Sequence, residues 1–89
     1  MDITRHAQSR AEQRNVPADI IATVFAYGTP RKAPGSAVRL IFDKVSIALA
    51  ADGSSRRRSE LKRYSGVYLV LGEDNRIVTI ARRYRRRFS

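Results

Sequence analysis

The sequence contains no cysteine, no tryptophan and a single histidine. Without cysteine the protein has no disulfide, no thiolate nucleophile and no zinc ribbon. One histidine and eight scattered acidic residues do not supply a metal-ligand cluster, so we expect neither a metal nor another cofactor. The apolar stretches fall well short of the roughly 18 residues that span a bilayer, and the N-terminus lacks the apolar segment of a signal peptide. These absences predict a cytoplasmic protein with no membrane partner.

Acidic residues are scarce relative to basic ones. Eighteen lysines and arginines stand against eight acids in 89 residues, which gives a formal net charge of +10. Such an excess favours a polyanionic or strongly acidic partner, with nucleic acid as the first choice. Hydrophobic residues make up 43% of the chain, which is typical of a folded domain. We expect one domain over residues 1–84, followed by a basic tail over residues 85–89.

Two helices are predicted in the first third of the chain. Apolar residues at helical spacing, with Thr4 as N-cap, predict a helix from about Arg5 to Arg14. Pro17 suits the first position of a second helix, and Gly28 would end that helix in the left-handed conformation.

The middle of the chain is predicted to contain a loop and two strands. Two prolines in residues 29–36 exclude a continued helix, so this stretch is interpreted as a loop. From Ala37 to Ala51 apolar residues alternate with their neighbours, which predicts two strands joined near Asp43 and Lys44.

The last part of the chain is predicted to contain a short arginine-rich helix over residues 54–64 and two further strands. Val67–Leu71 and Ile77–Ala81 are apolar on both faces, which is typical of the central pair of a sheet. Aspartate in place of Val24 or Val70 is therefore expected to unfold the domain. The predicted fold class is α+β, with two N-terminal helices packed on a mostly antiparallel four-stranded sheet and the short basic helix between strands 2 and 3.

Three residues of the first helix could carry chemistry. His6, Arg10 and Arg14 are spaced four apart, so they lie along one ridge of the helix. Arginine forks bind phosphate with two hydrogen bonds, and imidazole exchanges a proton near neutral pH. A solvated basic face without chemistry is the alternative interpretation of the same ridge.

The residues of this ridge also carry a resemblance. Residues 3–17 resemble the H-A-x-x-R-x-x-x-R-g-[IV] opening of a family of small bacterial domains that is grouped with the RelE/ParE and BrnT-like toxin superfamily. Tyr27-Gly28 and the last two predicted strands are similar to the rest of that pattern. The resemblance implies a RelE-like fold and a metal-independent endoribonuclease of a toxin–antitoxin pair. The sequence lacks the strand that precedes the first helix in RelE itself.

An endoribonuclease of this kind needs a base for the 2′-hydroxyl, cations for the phosphorane charge and an acid for the leaving 5′ oxygen. The end of the last strand is expected to approach the ridge on the first helix. The predicted catalytic set is therefore His6, Arg10, Arg14, Arg83 and Tyr84.

Other basic residues are predicted to attract RNA phosphates without reading sequence. They are Arg56, Arg57, Arg58, Lys62, Arg63, Arg82, Arg85, Arg86 and Arg87. The expected partners are RNA, including ribosome-bound mRNA, and an antitoxin or another acidic protein. Two further functions stay open at this point: a non-catalytic nucleic-acid-binding module, and a protein-interaction domain whose acidic partner neutralises the basic face.

Overall fold

The computed structural model describes residues 1–83, which form four α-helices and four strands. In chain order these are α1 (Arg5–Gln13), α2 (Ala18–Tyr27), β1 (Thr29–Lys32), β2 (Val38–Ile41), α3 (Lys44–Ala51), α4 (Ser55–Lys62), β3 (Val67–Leu71) and β4 (Ile77–Arg82). The strands form one antiparallel sheet in the order β1-β2-β3-β4. The predicted α+β class is confirmed. None of the helices described here has the length and apolarity needed to cross a lipid bilayer.

Both N-terminal helices form close to their predicted positions. Thr4 caps α1, because its hydroxyl oxygen accepts a hydrogen bond from Ala7 N at 3.1 Å. Pro17 is the N-cap of α2 and not its first residue, and Gly28 has a φ of −55° and not the expected left-handed value. Gly28 is required by packing instead, since a Cβ there would lie 2.6 Å from the carbonyl oxygen of Val24.

The middle of the chain differs from the prediction. Lys44–Ala51 forms helix α3 where a second strand was expected, and Thr29–Lys32 forms strand β1 where a loop was expected. A capping box begins α3: Ser46 N donates to Asp43 Oδ1 at 3.0 Å, and Asp43 N donates to Ser46 Oγ at 2.8 Å. Pro30 is compatible with β1 because β1 is an edge strand.

One face of the sheet packs against the helices. Helix α1 contacts β4, and α2 contacts β2 and β3. Alternate strand residues such as Leu40, Leu69 and Ile80 are buried there with Ala7 of α1 and Val24 of α2. Helices α3 and α4 extend the same core through Ile47, Ala51 and Leu61.

Strand β4 lies at an edge of the sheet, although its sequence predicted a place in the central pair. The N-terminal segment covers part of this edge, because Ile77 N donates to Asp2 O at 2.9 Å and Thr4 N donates to Ile77 O at 3.0 Å. Helix α1 packs on the same strand and buries Ile77 and Ile80, which explains why an edge strand is as apolar as a central one. Val70 of β3 is only half-buried, so the expectation that it belongs to the core is wrong.

Candidate nucleic-acid interface

The sheet face opposite the helices carries arginines in register. Arg31 of β1 pairs with Arg39 of β2, and Arg39 pairs with Val70 of β3. Side chains alternate along a strand, so these three point away from the buried face of Leu40 and Leu69. Arg39 and Val70 are half-buried and Arg31 is exposed, which leaves this face open to a ligand.

A depression of about 520 Å³ lies on this open face. It is lined by Arg31, Lys32, Arg39, Ile41, Asp43 and Arg83. Four of these residues are cations, and they come from β1, from β2 and from the residue that follows β4. Within residues 1–83 none of the four forms an ion pair. The depression therefore carries an excess of positive charge, because four cations and one carboxylate, that of Asp43, line it.

Arg31 and Arg39 lie directly opposite each other on neighbouring strands. Cβ atoms in such a pair are about 4.5–5.5 Å apart, and like charges at this distance destabilise the sheet. Folding therefore gains nothing from this pairing of arginines. A bound phosphate would remove the repulsion, because two guanidinium forks can bind one anion.

The Arg39 side chain is also held in place by an aromatic ring. Its guanidinium carbon lies 5.7 Å from the centroid of the half-buried Tyr68 ring. A contact of this kind contributes about 0.5–1 kcal/mol at exposed sites. Because the ring already restrains this long side chain, less conformational entropy is lost when Arg39 binds an anion.

Asp43 is the acid among the lining residues, and its carboxylate is occupied by internal hydrogen bonds. Its Oδ1 accepts from Thr29 Oγ1 at 2.8 Å, from Ser46 Oγ at 2.9 Å and from Ser46 N at 3.0 Å. Burial by itself would raise the pKa of Asp43, but these hydrogen bonds outweigh burial and hold the pKa below its ordinary value of 3.8. A carboxylate so engaged is a poor general base at neutral pH. In residues 1–83 no three His, Asp or Glu side chains gather into a group that could hold a metal ion.

A close backbone contact places Arg83 at the depression. Arg83 N donates to Gly66 O at 2.8 Å, which extends the β3–β4 pairing by one residue. Gly66 has a φ of +92°, and a Cβ at this position would overlap the carbonyl oxygen of Arg83. Glycine thus allows the approach that puts Arg83 on the same face as Arg39.

The predicted ridge of His6, Arg10 and Arg14 forms only in part on α1, because Arg14 follows the helix as its C-cap residue. His6 and Arg14 are exposed, and Arg10 is half-buried with a long hydrogen bond of 3.5 Å to Gln13. Helix α1 packs on the covered side of β4, whereas Arg83 lines the open side of the sheet. The structure therefore does not bring Arg83 together with the ridge. The catalytic role of these residues stays a prediction.

The basic residues of α4 and its surroundings lie at the surface. Arg57 forms an ion pair with Glu60 at 3.5 Å, and Arg82 Nη2 donates a hydrogen bond to the Arg63 carbonyl oxygen. The exposed cations of this region are Arg56, Arg58, Lys62 and Arg63. Tyr84 and the tail residues Arg85, Arg86 and Arg87, which were predicted to act on RNA, lie outside the described residues.

Sequence reasoning missed Arg31, Lys32 and Arg39 as site residues. The interpretation of residues 29–36 as a loop left Arg31 and Lys32 without a position in the sheet. Arg39 carried a usable signal, because it alternates with Val38 and Leu40 and so points to the opposite face of its strand.

Comparison with known proteins does not help to interpret this interface. No family model, no curated protein and no solved structure matches the chain.

Proposed function

We propose that this protein binds single-stranded nucleic acid, RNA foremost, across the open face of its sheet. The observation that carries the proposal is the set of four cations without ion-pair partners in residues 1–83 that line one depression. Proteins that bind single strands combine a basic groove along the backbone with flat groups on which bases stack. The stacked pair of Arg39 and Tyr68 supplies such a flat group beside the cations. A cytoplasmic location and ribosome-bound mRNA as one ligand belong to the same proposal.

Each cation has a distinct part in this proposal. Arg31 and Arg39 bind one phosphate between the two strands, because guanidinium forks match the geometry of phosphate oxygens. Lys32, as a point charge, and Arg83, through its own guanidinium, neutralise neighbouring phosphates in the same depression. Contacts of this kind position the strand and carry little sequence information.

Charge-removing substitutions test the proposal. Arg31→Gln and Arg39→Gln each remove one positive charge and one fork while they keep a polar side chain. Hydrogen bonds to charged groups contribute about 1.5–3 kcal/mol, so we expect each variant to weaken RNA binding by about tenfold or more. The measurement is the fluorescence anisotropy of a labelled single-stranded oligonucleotide.

Arg76→Gln is the matched control for net charge. Arg76 is exposed, lies in the turn before β4 and does not line the depression, and its contact with Asp2 is a long 3.9 Å. We expect its RNA affinity to stay within about twofold of wild type, because an exposed pair of this kind contributes little. Equal losses in Arg76→Gln and Arg39→Gln, or no loss in any variant, would contradict the proposal.

A toxin-like, metal-independent endoribonuclease of a toxin–antitoxin pair is the second candidate function. The observation that favours it is the exposed His6, which lies one turn before Arg10 on α1, with Arg14 at the C-cap of the same helix. In such an enzyme His6 would transfer the proton and the two arginines would stabilise the phosphorane charge. Its protein partner would be an acidic antitoxin.

A cleavage assay separates this second function from binding alone. Labelled RNA is incubated with wild type and with His6→Ala, with and without ribosomes. The enzyme proposal predicts cleavage by wild type and a rate loss of about 10²–10⁴-fold in His6→Ala, with RNA binding retained. A wild-type protein that binds RNA and cleaves none under either condition would refute the enzyme proposal and leave binding in place.

A further inference from the structure

Helix α3 is apolar on its solvent face as well as on its buried face. Ile47 and Ala51 lie in the core, whereas Val45 is 64% exposed and Leu49 is 60% exposed. Together with the exposed Ala48, the last two form a strip at helical spacing, which we call the α3 strip (Val45, Ala48 and Leu49). A helix that is apolar all round is typical of one enclosed by protein on both sides.

The fold does not require apolar residues in the α3 strip. The capping box of Asp43 and Ser46 starts the helix, and Ile47 and Ala51 anchor it to the core. Polar residues at positions 45 and 49 would allow the isolated domain to fold equally well. Full burial of a Val or Leu side chain contributes about 1.5–3 kcal/mol, and this free energy is available to a partner that covers the strip.

Helix α4, which packs against α3, carries an excess of positive charge. Helices α3 and α4 contact each other, and Leu61 of α4 joins Ile47 of α3 in one core. Helix α4 carries one acid, Glu60, and that acid is paired with Arg57. The other cations of this helix are Arg56, Arg58 and Lys62, all of which are exposed.

We propose that α3 and α4 together form a docking surface for an acidic amphipathic helix of a partner protein. The apolar side of that helix would cover the α3 strip, and its carboxylates would face the cations of α4. Charge complementarity selects this occupant over a second copy of the chain, since each copy has a formal net charge of +10. Nucleic acid would meet the cations of α4 but has no apolar side chains with which to cover Val45 and Leu49.

This inference is independent of the RNA proposal, because it uses the helices and not the open sheet face. Its failure and the failure of RNA binding are therefore distinguishable. Substitutions in the α3 strip are expected to leave RNA affinity unchanged.

The test uses two synthetic peptides with the same amino-acid composition. The first is a helical peptide with leucine at positions i, i+3, i+4 and i+7 and glutamate at most others; the second has the same residues in scrambled order. We expect the full-length protein to bind the first at least tenfold more tightly, as measured by fluorescence anisotropy. Leu49→Ser and Val45→Ser are each expected to weaken that binding by about tenfold.

Val38→Ser is the matched control, because Val38 is an exposed valine at the start of β2 and outside the α3 strip. Its peptide affinity is expected to equal that of wild type. Circular dichroism melts check that each variant keeps its fold. Equal affinity for the two peptides, or equal affinity of Leu49→Ser and Val38→Ser for the first peptide, would overturn the proposal. A dimer in sedimentation velocity that Leu49→Ser dissociates would overturn it in favour of a second copy.

Discussion

Asp43 connects the sheet to the helical layer through one carboxylate oxygen. That oxygen accepts a hydrogen bond from Thr29 at the start of β1 and two from Ser46 in the first turn of α3. Strand β1 is an edge strand of four residues that pairs with β2, and this bond to Thr29 adds a second attachment. Arg31 lies two residues after Thr29 in β1. The Asp43 carboxylate therefore also helps to position a cation of the proposed RNA site.

Replacing Asp43 by alanine tests this link. Loss of an N-cap and of a part-buried acceptor should lower the free energy of unfolding by about 1–2 kcal/mol at neutral pH. The pKa of Asp43 in the folded protein lies below its ordinary value of 3.8, so the folded state binds fewer protons than the unfolded state. The contribution is therefore complete above about pH 4 and is lost as the pH falls through the lowered folded pKa.

Urea unfolding at neutral pH and near pH 2 measures this dependence. The stability gap between wild type and Asp43→Ala is expected to shrink at the lower pH. Asp43→Asn is the control, because asparagine caps helices about as well as aspartate but does not titrate in this range. A gap of the same size at both pH values would show that the carboxylate charge has no part in the cap.

Among the helices and strands, the sequence predicted α1, α2, α4, β2, β3 and β4 and missed α3 and β1. Val45, Ile47 and Leu49 alternate in the sequence, which is typical of a strand. The alternation arises because α3 has apolar residues on two sides. Ile47 lies in the core, whereas Val45 and Leu49 are exposed. Arg83 was predicted as a site residue, whereas Arg31 and Arg39 were not. The two come together only through the pairing of β1 with β2, and the sequence did not predict β1.

Two valines test which face of each element belongs to the core. Val24 of α2 is fully buried, whereas Val70 of β3 is half-buried on the open face and pairs with Arg39. Val24→Asp should unfold the domain, because an unpaired charge in the core costs several kcal/mol. Val70→Asp should stay folded, since the new carboxylate would lie opposite a guanidinium. Circular dichroism melts decide the matter, and the assignment of faces fails if both variants unfold or if both melt like wild type.

Across the molecule, two groups of described cations lie on surfaces of different character. On the open sheet face they surround a depression beside an aromatic ring. On the helical side they lie on α4, which packs against the helix that carries the apolar α3 strip. A formal net charge of +10 opposes the compact state through self-repulsion, and an anionic ligand or partner on either surface would relieve it.

The dependence of RNA affinity on salt distinguishes these two surfaces. The logarithm of the binding constant should fall with the logarithm of salt concentration by about 0.7 for each phosphate neutralised on a single strand. The double variant Arg31→Gln/Arg39→Gln should flatten this slope by about 0.7, because the two arginines line the depression and are proposed to neutralise one phosphate between them. Arg56→Gln/Arg58→Gln removes the same charge from α4 and should leave the slope nearly unchanged, because α4 faces the proposed protein partner. Equal flattening in the two double variants would mean that RNA contacts both surfaces, and flattening in the α4 variant alone would move the RNA site from the sheet to the helices.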